Sequence, residues 1–86
     1  MSACNFTIAF SKPVADILQK AKETVESQSG TFAGTETEGR FDVSVFGNTV
    51  VGTYVVNGNE LNIDIIEKPF LVPCNMIESF LTSKLN

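Results

Sequence analysis

In the stretch CNFTIAF, Phe6, Ile8 and Phe10 recur at every second position, with Asn5, Thr7 and Ala9 between them. Alternation of this kind places the first set on one face of a half-buried strand and the second on the other. The residues SKP interrupt it, and the period then changes. Val14, Ile17, Leu18, Ala21 and Val25 follow helical spacing, while Lys20, Lys22, Glu23 and Glu26 take the wet side. Pro13 suits a first helical turn, with Ser11 or Lys12 as the cap and Asp16 near the positive end of the helix dipole. The helix is expected to stop near Gln28, with Gly30 as its terminator.

Short apolar runs cut by turn residues follow as far as Lys68. TFAGTE is short and ambiguous, and TEG reads as a turn. RFDVSVF places Phe41, Val43 and Val45 on one face. Gly47-Asn48 is a hairpin turn leading into TVVGTYVV, and Asn57-Gly58 has the composition of a type I′ turn. In ELNIDIIE, Leu61, Ile63 and Ile65 share one face, with Asn62 and Asp64 opposite. Consecutive short strands joined by tight turns predict an antiparallel meander.

Lys68-Pro69 ends the ladder, because proline donates no hydrogen bond to it. Phe70, Leu71 and Val72 form an apolar connector. Pro73 then fits a helix start, Asn75 and Glu78 are spaced like a capping box, and Ile77, Phe80, Leu81 and Leu85 face inward. The predicted fold class is α+β with the order β-α-β-β-β-β-α in a single domain, residues 1–86. A curved antiparallel sheet packs on the first helix, and the C-terminal helix closes it. EKPFLVPC reads as a structural hinge in which Phe70 packs beneath the last helix and Lys68 stays in water. The competing reading makes Phe70 part of an exposed recognition patch.

Composition narrows the function. Eighty-six residues suit one compact core, and 43% hydrophobic content with seven Phe is enough to build it. Ten acidic residues against six basic ones give a net charge of −4. Nucleic-acid and anionic-membrane affinity rest on Lys/Arg clusters, so neither partner is expected. No run approaches the ~20 apolar residues of a membrane span. MSACNFTIAFSK lacks the basic region and long apolar segment of a secretory leader. The expected location is therefore the cytoplasm, with Cys4 and Cys74 as packed thiols and a disulfide between them as the lesser alternative.

Candidate chemistry is sparse. The chain has no histidine, hence no ordinary general base near neutral pH, and no CxxC or four-ligand zinc set. No catalytic residue, metal ligand or cofactor is assigned. Glu36 and Glu38 read as a solvated edge, and Asp42 and Asp64 as the outer face of the sheet. Cys74 at a helix start could hold a lowered thiol pKa, but only Lys68 is near in sequence to act with it. Gly34 and Gly52 interrupt strand patterns and mark bends or bulges. The glycines form no phosphate loop. The residues singled out for a ligand or partner surface are Ile66, Phe70, Val72 and Tyr54. Ile66 shares the outward face of Asp64, and Tyr54 is a core or rim residue with its hydroxyl reaching water.

The segment from Gly39 to Leu85 resembles the small polyhydroxyalkanoic acid system proteins. Matching features are Gly52 in the third meander strand, Phe70-Leu71 in the bend and Ile77-Glu78 opening the last helix. That family is known mostly by genomic association with polymer granules, and the resemblance implies no catalytic residues. The layout is also similar to a shortened START-like, helix-grip domain, in which a curved sheet grips a helix and often encloses an apolar ligand. NTVVG, Asn48 to Gly52, is similar to the QxVxG hairpin of cystatins, without the tryptophan of their second hairpin. The leading expectation is a non-enzymatic binding or association domain that takes a small apolar ligand, a granule-related partner or a second copy of itself. The alternatives are a START-like carrier or enzyme with an internal cavity, and a cystatin-like protease inhibitor.

Overall fold

The computed structural model describes residues 3–45 and 47–85, and the expectation for the Val45 side chain lies outside the described residues. The elements run β1 (Cys4–Ala9), α1 (Val14–Ser27), β2 (Thr31–Gly34), β3 (Glu38–Val45), β4 (Asn48–Asn57), β5 (Glu60–Glu67) and α2 (Cys74–Leu85). The order is the one the pattern predicts. All neighbours pair antiparallel in a single open sheet, β1-β5-β4-β3-β2. Strands β2 to β5 form the meander, and β1 returns to pair with β5 from Cys4↔Ile65 to Ala9↔Glu60.

The inward row is the predicted one. Phe6, Ile8, Phe41, Val43, Leu61, Ile63 and Ile65 are all buried, together with Ile17, Leu18 and Val25 of α1 and Ile77, Leu81 and Leu85 of α2. Both helices therefore cover one face of the sheet. The other face carries Asn5, Thr7, Arg40, Thr53 and Asn62, exposed or half-buried.

Several local boundaries differ from expectation. Pro13, not Ser11 or Lys12, is the N-cap of α1, without a side-chain cap bond. Its carbonyl accepts from the N–H groups of Asp16 (3.0 Å) and Ile17 (3.2 Å). At the other end Gly30 is not the left-handed residue; Ser29 is, at φ 60°. Ser29 donates to the Glu26 carbonyl at 3.1 Å and Gly30 to that of Val25 at 2.8 Å, the paired bonds of a Schellman motif. Gly30 is needed for space instead, because a Cβ there would collide with the Asp42 carbonyl oxygen.

The hairpin turns shift by one residue. Asn57 pairs with Glu60, so Gly58-Asn59 is the turn. Positive φ at Gly58 (58°) without positive φ at Asn59 is the type II′ pattern, not type I′. Asn48 belongs to β4, pairing with Val45. Asn75 and Glu78 form no capping box; the Pro73 carbonyl accepts from Met76 (3.1 Å) and Ile77 (3.4 Å). A register step separates Val51↔Glu67 from Gly52↔Ile65, leaving Ile66 as a bulge without a partner in β4. Gly52 lies at that step, as its place in the strand pattern predicts. A Cβ on it would come within 2.7 Å of the Phe41 ring and 3.0 Å of Ile65 Cδ1.

Candidate functional site

The sheet hands over to α2 through residues 68–73. Pro69 and Pro73 bracket this bend, each with φ fixed by its ring. The Val72 N–H donates to the Pro69 carbonyl at 3.2 Å, closing a turn whose two central residues are Phe70 and Leu71. Central residues of a turn project away from the body, whereas its ends abut it. The exposures follow: 94% for Phe70, 85% for Leu71 and 4% for Val72. The expected burial of Phe70 beneath α2 is thus overturned, and Val72 is the anchor. Lys68 is half-buried, not in open water, with Nζ 3.4 Å from the Pro69 carbonyl oxygen.

A disulfide fixes the far end of the bend. Cys4, the first residue of β1, is bonded to Cys74, the first residue of α2. The expectation of two packed thiols is corrected, and with it the notion of a reactive thiol at Cys74. The sequence makes the disulfide the lesser alternative, because seventy positions separate the two cysteines and no local pattern joins them. Their meeting depends on β1 lying beside β5, which a strand pattern does not specify.

Of the four residues singled out for a surface, two are on it. Ile66 is 43% exposed at its bulge, close in sequence to Phe70. Val72 and Tyr54 are core residues and offer no surface. Tyr54 faces inward from β4, stacked on Phe32 at 5.4 Å between ring centroids. Its hydroxyl donates to the Thr35 carbonyl at 2.6 Å instead of reaching water. Burial pushes its phenol above the ordinary value of 10.0. Gly34 and Gly39 pair across β2 and β3 beside this ring, and a Cβ on either would strike it or its hydroxyl. Leu71 and Met76 (40% exposed) complete the exposed apolar residues of the bend and the first turn of α2. Sequence reading assigned neither to the surface. The signal was a three-residue apolar run held between two prolines, too short for periodicity to reveal which residues turn out.

The interior offers little room. Between α1, α2 and the sheet, Leu18, Val25, Phe41, Ile63, Leu81 and their neighbours line a partly open cavity of about 20 Å³. Small-molecule pockets usually run to about 300–1,000 Å³. The polar groups on the wall are engaged elsewhere, Tyr54 with Thr35 and Thr24 Oγ1 with the Lys20 carbonyl at 2.9 Å. Among the described residues, no three of His, Cys, Asp or Glu gather to hold a metal. No described helix is long and apolar enough to cross a membrane. The NTVVG stretch forms the first half of β4, with Asn48 and Thr49 exposed and Val50 buried. The chain matches no family model, no curated protein and no solved structure.

Proposed function

We propose that the protein is a small non-enzymatic association module that engages an apolar partner through the bend at residues 68–73. The observation that carries this reading is the exposure of Phe70 and Leu71 side by side, 94% and 85%. Scattered exposed apolar residues are ordinary. Two adjacent ones, nearly free of intramolecular contact, on a turn fixed by two prolines and a disulfide, are a pre-organised anchor. Covering a Phe or Leu side chain is worth about 1.5–3 kcal/mol each, and a rigid presentation lowers the entropy lost on binding. The net charge of −4 favours an uncharged apolar surface over an anionic one. The resemblance to polyhydroxyalkanoic acid system proteins points the same way, towards a polymer granule or a protein resident on one.

The expected cytoplasmic location is weighed against the Cys4–Cys74 bond. Cytosolic thiols are held reduced, so the bond favours an oxidising compartment and counts against a granule partner inside the cytosol. Binding is tested with the disulfide-bonded protein on neutral triacylglycerol droplets, phosphatidylcholine vesicles and polyhydroxybutyrate particles. Phe70→Ser combined with Leu71→Ser should release it from whichever surface it holds while leaving its melting temperature unchanged. Retention of the variant, or failure of the parent protein to bind any apolar partner, overturns the reading. Saturable NMR shifts at Leu18, Phe41 and Leu81 with fatty acids or hydroxyacyl compounds would favour the carrier reading, in which the helices part to widen the cavity.

A further inference from the structure

Strand β1 ends the sheet, so among the described residues its far side has no strand neighbour. Backbone groups along such an edge are a template for another strand, and proteins usually blunt it with charge, proline, a bulge or brevity. The opposite edge is blunted. β2 has only four residues, ends at Gly34 and runs into the exposed Glu36 and Glu38. β1 carries none of these devices. Its six residues, CNFTIA, include no charge, proline or glycine, and its pairing with β5 is unbroken. The inward side chains Phe6 and Ile8 are already covered. What the edge presents is its backbone, with the exposed Asn5, Thr7 and Ala9 beside it.

The bend shares this corner of the molecule. The chain leaves β5 at Glu67 and reaches Cys74, which is bonded to Cys4 at the start of β1. Residues 68–73 therefore end beside the Cys4 end of β1. The edge is also self-complementary. Antiparallel pairing of two β1 strands about Phe6 sets Asn5 opposite Thr7 and Cys4 opposite Ile8. That register keeps outward residues with outward and inward with inward. It brings no like charges face to face, although each copy carries −4 overall.

The geometry points to a symmetric homodimer in which β1 of two copies pair antiparallel, joining two five-stranded sheets into one. The Phe70-Leu71 bend of each copy lies against the Ala9 end of the other copy's β1. This deepens the association reading by naming a second copy as the partner of the bend, and the interface is isologous. Sedimentation equilibrium of the intact, disulfide-bonded chain from micromolar to millimolar concentration tests it. The protein should dimerise. Asn5→Lys with Thr7→Lys places lysine opposite lysine twice across the two-fold and should weaken the dimer about tenfold or more. Both positions are exposed, and an unchanged melting curve for the dilute variant checks the fold. Phe70→Ser with Leu71→Ser should weaken the dimer as well. A protein monomeric at millimolar concentration, or a dimer indifferent to the two lysines, overturns the proposal. If a monomer still holds droplets in a Phe70-dependent way, the dimer falls and the association reading stands. A dimer that ignores the lysines but is lost with Phe70 and Leu71 assigns the contact to the bend alone.

Discussion

Phe70 and Val72 lie two residues apart on one turn, and their environments are opposite. Phe70 has almost nothing to lose from the folded state, so Phe70→Ala should change stability by no more than about 0.5 kcal/mol. Val72→Ala removes buried methyl groups and should cost about 2 kcal/mol. Urea denaturation of the two variants measures this directly, and equal midpoints would mean that the turn is seated the other way. Tyr54 supplies the residue-scale pH dependence. Its phenol is raised in the folded state by burial, so the unfolded chain ionises first. The contribution is fully present below the unfolded value near 10 and is lost as pH rises through the folded value. Tyr54 is the only tyrosine, so Tyr54→Phe should flatten the alkaline fall in urea midpoint that the parent protein shows.

At the scale of elements, the end of α1 separates two requirements that adjacent residues satisfy. Ser29 adopts the left-handed conformation, which strains any residue with a Cβ. Ser29→Gly relieves that strain while loosening the unfolded chain, so a net gain of about 0.5 kcal/mol is expected. Gly30 accepts no such exchange. Gly30→Ala drives a methyl group into the Asp42 carbonyl and Val25, and the close packing of α1 on β3 should yield by about 2–3 kcal/mol. Thermal melts of both variants suffice, since about 1 kcal/mol moves the midpoint of so small a domain by about 4–8 °C. If Ser29→Gly lowered the midpoint and Gly30→Ala did not, the left-handed turn at Ser29 and the close approach of Gly30 to Asp42 would both be wrong.

For the molecule as a whole, the disulfide ties the first strand to the last helix and encloses most of the chain. Cross-linking across seventy positions restricts the unfolded ensemble strongly, and typical stabilisation is about 2–4 kcal/mol. Cys4→Ser with Cys74→Ser should lower the melting midpoint by about 10–20 °C. Thiol titration of the unfolded protein before and after reduction gives the redox state directly; two free thiols before reduction would favour a reducing compartment. The same bond tethers the end of the bend beside β1. Its loss is therefore expected to weaken the proposed association through Phe70 and Leu71 as well as stability.

Periodicity alone determined the elements and which of their faces is apolar. Phe6 and Ile8, Ile17 and Leu18, Leu61, Ile63 and Ile65 could be assigned inward because a strand or helix repeats its geometry, and repetition leaves a pattern in the chain. The sheet's class and the element order followed from the same signal. Tertiary structure decided what has no period. Which strand closes the sheet beside β5, and hence that Cys4 meets Cys74, depends on contacts far apart in sequence. The orientation of Phe70 against Val72 depends on a single turn, where one dihedral sends a side chain into the core or into water. Half of the candidate surface was legible for that reason: Ile66 and Phe70 lie outside, whereas Tyr54 is drawn in by Phe32 and the Thr35 carbonyl and Val72 by the anchoring of its turn. Local sequence carries repeating geometry, and only the assembled fold determines where a non-repeating side chain points.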